Sequence, residues 1–354
     1  MPEVERQKIR LNLSPQAQKY ANRDAPREAR LMAARGALPL PPLELATVLF
    51  ALMHDDDAEV KTRARESLED LPESVIVPVL EGDTHPAVLS HLAQSFRDNE
   101  ARCEKLALNA ACDDGTIALL AGLPFRRVVD IVSNNQERMM RAPEIVDALG
   151  DNPLTGRAVI ERILSFLGMD APTGDDDDDA PISDDDAEAA LRAVLGDDLG
   201  QFAKTLVEEG DAVQDAANNN IYALIQQLSV FQKIKLARLG NAEARGLLVR
   251  DRNKVVSVAA VSSPKVSDQE IITFAQSRNV SDEVLRMIAK NRQWTRNYQV
   301  KLALSTNPKT PQPTAMKFVN FLQDNDLRMM VKSKDVPSAV SSHARRILMK
   351  KGKI

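Results

Sequence analysis

Apolar residues recur along this chain at intervals of three and four. In "HDDDAEVKTRARESLEDLP" (His54 to Pro72), an Asp cluster precedes Val60, Ala64 and Leu68, a spacing that places all three on one helical face. The same period and its stop signals predict short helices over 267–277, 281–292 and 295–305, then over 310–321, 325–334 and 337–350. Each predicted helix opens on or near a Ser, Thr, Asn or Pro.

These segments repeat. "SSPKVSDQEIITF" (Ser262 to Phe274) returns as "TNPKTPQPTAMKF" (Thr306 to Phe318), 44 residues on, and "LRMIAKNR" (Leu285 to Arg292) returns as "LRMMVKSK" (Leu327 to Lys334), 42 residues on. That period suits a helical repeat. A longer copy joins the two halves of the chain. At a shift of 155 residues, Ala148, Leu149, Asn152, Pro153, Thr155, Phe166 and Leu167 meet Ala303, Leu304, Asn307, Pro308, Thr310, Phe321 and Leu322. Upstream, Val128, Ile131, Val132 and Asn135 meet Val284, Met287, Ile288 and Asn291 at 156, and Ile117 and Ala121 meet Ile271 and Ala275 at 154.

In "NPKTPQPT", the residue before Pro308 is steered away from the helical region, so Asn307 ends a helix. The expectation is that Thr310 caps the next helix with its hydroxyl, that Pro311 takes its first position, and that Pro313 falls within its first turn.

Composition supports helices. Of 354 residues 44% are hydrophobic but only 4% aromatic, with one Trp and three Tyr, so Ala, Leu, Val and Met carry the apolar content, which favours packed helices over a β-sandwich or barrel. The fold class expected is all-α. Its clearest boundary is "MDAPTGDDDDDAPISDDDAEAA" (Met169 to Ala190), where ten acids stand with no basic residue, the composition of a solvated linker. The chain then reads as a partly helical extension over 1–36, with capping signals at Ser14-Pro15 and Asp24. Next come a helical module over 37–168, an acidic disordered linker over 169–190 and a second helical module over 191–354.

The acidic turn and Val-basic-Ala-Leu pattern of His54 to Pro72 resemble a HEAT repeat. "GDTHPAVLSHLA" (Gly82 to Ala93) and the two Asn-Pro-x-Thr motifs are similar to the leucine-rich-repeat-variant proteins. The resemblance implies an α-solenoid of armadillo-like character, with extended surfaces for partners. It implies no particular activity.

Charge divides the chain. The net charge is −5, yet residues 230–354 hold 24 Lys and Arg against 9 Asp and Glu, a net of +15, leaving −20 for residues 1–229. Within the basic part, "AKNRQWTRNYQVKLAL" (Ala289 to Leu304) interleaves Lys290, Arg292, Arg296 and Lys301 with Trp294 and Tyr298, and Lys332, Lys334, Arg345 and Arg346 extend it. Such a mixture pairs with phosphates or carboxylates while stacking on bases or on a partner's side chains. Trp294 and Tyr298 equally fit as staples between helices, with the cations as solvated helix faces.

Candidate chemistry is otherwise sparse. The four histidines, His54, His85, His91 and His343, have no Cys or second His at a metal-ligand spacing and are expected on turns or the surface. Cys103 and Cys112 are expected as reduced core thiols. There is no nucleophile elbow, P-loop or dinucleotide fingerprint, and the Asp run lacks the central Gly and closing Glu of an EF-hand loop. No cofactor, metal or catalytic residue is expected. The first residues lack the apolar core of a secretory signal and no apolar run approaches 18 residues, so no membrane span and a cytoplasmic location are expected.

The leading functional expectation is a non-enzymatic scaffold or adaptor that binds protein partners through helical-repeat surfaces. The alternative is binding of nucleic acid or another polyanion by residues 230–354, masked by the acidic linker. The opposite charges of the two halves also permit self-association.

Overall fold

A computed structural model of the chain describes residues 11, 13–22, 24–167, 184–200, 206–207 and 222–353, with backbone alone at 184 and 194–200. All regular structure among the described residues is helical, without a strand. The chain falls into two compact units, Met1–Leu154 and Thr155–Ile354.

In the first unit the helices are α1 (Pro15–Ala21), α2 (Arg27–Ala34), α3 (Pro42–Leu52), α4 (Ala58–Glu69), α5 (Glu73–Glu81), α6 (Pro86–Ser95), α7 (Glu100–Leu108), α8 (Asp114–Ala121), α9 (Arg126–Ser133), α10 (Gln136–Arg141) and α11 (Pro143–Asp151). Their starts follow the capping rule. The side chains of Ser14, Asp57, Asn99, Asp113 and Asn135 each accept a backbone N–H of the helix that follows. Asp24 does not cap; α2 begins after Pro26. In α4, Val60, Ala64 and Leu68 are wholly buried, as their spacing predicts. The acidic turn before α4 also receives α2, through Arg27 on Asp57 at 2.7 Å and Arg30 on Asp55 at 2.5 Å. Residues 27–34 therefore pack within the first unit, against α3 and α4.

The second unit comprises α12 (Arg157–Phe166), α13 (Asp184–Gly200), α14 (Val230–Leu239), α15 (Ala242–Leu248), α16 (Lys254–Val261), α17 (Asp268–Gln276), α18 (Asp282–Lys290), a 3-10 turn (Trp294–Arg296), α19 (Tyr298–Thr306), α20 (Gln312–Val319), α21 (Asp324–Lys332) and α22 (Ser338–Lys350). Here α12 packs on α16 and α13 on α14. Most of the expected acidic linker, residues 169–183, lies outside the described residues. Its last seven, Asp184 to Ala190, are instead the start of α13. Three acids in the first turn, Asp184 to Asp186, lie at the positive end of the helix dipole, and Ala187 and Leu191, one turn apart, are fully buried, which offsets the repulsion among the carboxylates.

Within the units a helix often packs on the next but one, α5 with α7, α7 with α9, α14 with α16, α17 with α19 and α20 with α22, while α8 packs on α11. Three of these pairs are closed by the same device. After α7, α11 and α19 stands an extended asparagine, and its side-chain amide reaches back to the C-terminal carbonyls of the first helix of the pair α5 with α7, α8 with α11 or α17 with α19. Asn109 Nδ2 donates to Leu80 O (2.7 Å) and Gly82 O (2.9 Å). Asn152 Nδ2 donates to Ala121 O (2.7 Å) and Leu123 O (2.8 Å). Asn307 Nδ2 donates to Ala275 O (2.8 Å) and Ser277 O (2.9 Å). Each Oδ1 accepts the N–H two residues on, from Ala111, Leu154 and Lys309 respectively. Helix-end carbonyls that have no intrahelical donor are thereby satisfied in a buried place. At the equivalent position after α16, Ser263 makes a single such bond, to Arg238 O at 2.8 Å.

Thr310 behaves differently from expectation. Pro311, not Thr310, is the N-cap residue of α20, so Pro313 occupies the second helical position. The turn closed by Thr310 N on Asn307 O (3.1 Å) rolls the threonine inward, where its hydroxyl is buried without a partner. Thr155, three residues after Asn152, is likewise buried with its hydroxyl unpartnered, and Cys112 fills the same place after Asn109. The position takes a small side chain for packing, and the hydroxyl adds no bond.

Candidate cationic binding surface

Of the predicted site residues, three, Arg292, Trp294 and Arg296, lie on one short connection. The helix α18 ends at Lys290, and Asn291 accepts the N–H groups of Gln293 (2.9 Å) and Trp294 (3.3 Å), winding the chain into the 3-10 turn before Asn297 caps α19. Arg292 and Arg296 project from this turn, exposed, and their guanidinium groups make no hydrogen bond or ion pair with the described residues. Trp294 between them is half-buried, its indole N–H without an acceptor among the described residues. Tyr298 is tied into the fold. Its hydroxyl donates to the Asp326 carboxylate and accepts Gln323 N–H at 3.0 Å, while its ring packs on the core of α20, α21 and α22. Burial and the Asp326 carboxylate both push its phenol above the usual range.

Lys301 lays its ammonium over the ring of Phe321, 5.7 Å from the centroid, and that ring is 60% exposed. Lys332 and Lys334 stand at the end of α21, and Arg345 and Arg346 on the outer side of α22, all exposed and without ion pairs to the described residues.

The first unit contains the counterpart of this turn. Asn135 accepts Arg138 N–H at 3.1 Å as Asn291 accepts Trp294 N–H, so α10 matches the 3-10 turn and Arg138 stands where Trp294 does. Here both arginines are engaged. Arg138 donates to Cys112 O (2.6 Å) and Ala110 O (2.8 Å) and lies 3.3 Å from Asp114, and Arg141 holds the same carboxylate with two 2.7 Å bonds. Hydrogen bonding from Arg141 keeps the Asp114 carboxyl below its ordinary range. In the second unit Asp268 occupies the place of Asp114, and no arginine among the described residues reaches it. A different arginine works nearby: the fully buried Arg245 of α15 holds Glu270 of α17 at 2.8 and 3.0 Å and donates to Gly240 O at 2.6 Å.

Beside the turn lies a groove of about 470 Å³. Lys290 is the predicted residue that lines it. Arg157 of α12, Arg286 of α18 and Lys317 of α20 complete its cationic lining, and Glu283, Thr314 and Phe318 form the remaining walls with small residues. Sequence spacing marked none of Arg157, Arg286 and Lys317, because they come together only through the packing of three helices.

The remaining chemistry-bearing side chains serve the fold. Cys103 and Cys112 are buried free thiols, and burial raises them to about 11 and about 12. His85 caps α6 through Nδ1. His91 lies within α6, half-buried against Phe50, where burial lowers its pKa; its place in a helix differs from the turn or surface setting expected. Among the described residues no group of three or more His, Cys, Asp and Glu is placed to hold a metal ion, and no helix is long and apolar enough to cross a membrane. Compared with known protein families, curated proteins and solved structures, the chain matches none.

Proposed function

We propose that this chain is a non-enzymatic helical-repeat scaffold, a two-module α-solenoid whose C-terminal unit binds acidic segments of partner proteins. One observation carries the reading: two turns of like construction hold their cations in opposite ways, and only in the second unit are Arg292 and Arg296 left unengaged. A net of +15 over residues 230–354 surrounds them with a field that draws in anionic ligands. Binding of nucleic acid is the weaker alternative, since Tyr298 is committed to Asp326 and Gln323, and Trp294 alone remains as a stacking ring on this turn.

The test is fluorescence anisotropy of full-length protein with a labelled glutamate-rich peptide and with single-stranded RNA of matched charge, across a salt series. Peptide binding that weakens tenfold or more in Arg292→Glu/Arg296→Glu, with the thermal midpoint unchanged, supports the scaffold. Binding of the RNA alone, or peptide binding indifferent to the double reversal, overturns it.

A further inference from the structure

We infer that the groove beside the turn is a site for the phosphoryl group of a phosphorylated serine or threonine in a partner protein. This deepens the scaffold reading and rests on it. The groove is lined by donors in excess of acceptors. Its cations come from three helices, Arg157 from α12, Arg286 and Lys290 from α18, and Lys317 from α20. Its one acidic side chain, Glu283, is turned to Arg286, 3.8 Å from Nε, and Arg286 also meets Asp282 at 3.3 Å. Lys290 and Lys317 have no counter-charge among the described residues.

Arg157 gives the site a fixed element. Its Nε is anchored on Glu161, one turn along α12, which holds the guanidinium plane in place. Arg157 lines the groove, so its guanidinium adds positive charge there. The Thr314 hydroxyl makes no bond with the described residues. Two lysines, an arginine and a hydroxyl ask for a ligand rich in acceptors and charged beyond −1. A carboxylate brings two oxygens and one charge. A phosphomonoester brings three terminal oxygens and a charge of about −1.5 to −2 at neutral pH. The groove volume of about 470 Å³ leaves room for flanking peptide, with Phe318 as an apolar wall.

The experiment uses full-length protein and three degenerate peptide pools that differ only at a fixed central residue: phosphoserine, glutamate or serine. The phosphoserine pool is expected to bind at least tenfold tighter than the glutamate pool. Lys290→Glu/Lys317→Glu should erase that preference, and the milder Lys290→Gln/Lys317→Gln should reduce it, both with an unchanged circular dichroism melt. Equal affinity for the phosphoserine and glutamate pools, or a preference that survives both double variants, overturns the assignment. The two readings fail separately: if the preference is absent while the glutamate-rich peptide still depends on Arg292 and Arg296, the scaffold stands without the phosphoryl site.

Discussion

The joint after α11 and the joint after α19 are closed by the same asparagine bonds, yet the turns that precede them are finished differently. In the first unit Arg138 and Arg141 hold the start of α8 and the carbonyls of residues 110 and 112. In the second, the same place is taken by Trp294 and Arg296, and the start of α17 is secured instead by Arg245 through Glu270. The closing asparagine is thus the part both joints share, and an arginine on the turn is dispensable. What the fold does not require at Arg292 and Arg296 becomes available for binding.

The comparison can be broken by mutation. Removing the shared element should have the largest effect: Asn152→Ala or Asn307→Ala leaves helix-end carbonyls buried without donors and should destabilise its unit by about 3 kcal/mol in urea titration. A loss below about 1 kcal/mol at either site would show that the joints are not closed by these bonds. Next, Arg138→Met should destabilise the first unit by about 2 kcal/mol, whereas Arg296→Met should stay within about 0.5 kcal/mol. Equal losses would erase the distinction between the turns.

Ser263→Asn offers the reverse experiment. It supplies the second backward bond that Ser263 lacks and should raise the stability of the second unit by about 1 kcal/mol. Thr155→Val and Thr310→Val remove hydroxyls buried without partners, and each should be neutral or stabilising by up to about 1 kcal/mol. A loss on either substitution would mean that the hydroxyl has an acceptor.

The smallest effect concerns pH. The Asp114 carboxyl is depressed in the folded chain, so its contribution to stability is full above the ordinary carboxylate pKa and is lost as pH falls through the folded value. Amide protection at residues 109–114, corrected for intrinsic exchange, should therefore fall below about pH 4, while residues 291–296 keep theirs. Parallel loss in both turns would contradict the assignment.

The helices were legible in the sequence because their signals are local. Val60, Ala64 and Leu68 mark a face by spacing alone, and Ser267 and Ser281 mark starts by chemistry alone. Asn307 and Asn152 stood out as punctuation, but their reach back to the first helix depends on tertiary approach and has no signature in nearby residues. Asn109 was missed for want of a following proline; the interval from Asn109 to Asn152, 43 residues, was the signal that could have found it. Thr310 was misread because capping residues and small buried residues are drawn from the same set. At the site, the cations of residues 290–296 were visible as a cluster. Arg157, Arg286 and Lys317 were not, being scattered over segments that only packing unites.

The asparagine joints span between 27 and 32 residues of sequence. Contacts that short in range correspond to low contact order, so each joint can close soon after its last residue leaves the ribosome, without waiting for the rest of the chain. Within each unit, assembly can then proceed in the direction of synthesis. A defect in one joint would delay its neighbours rather than the whole molecule.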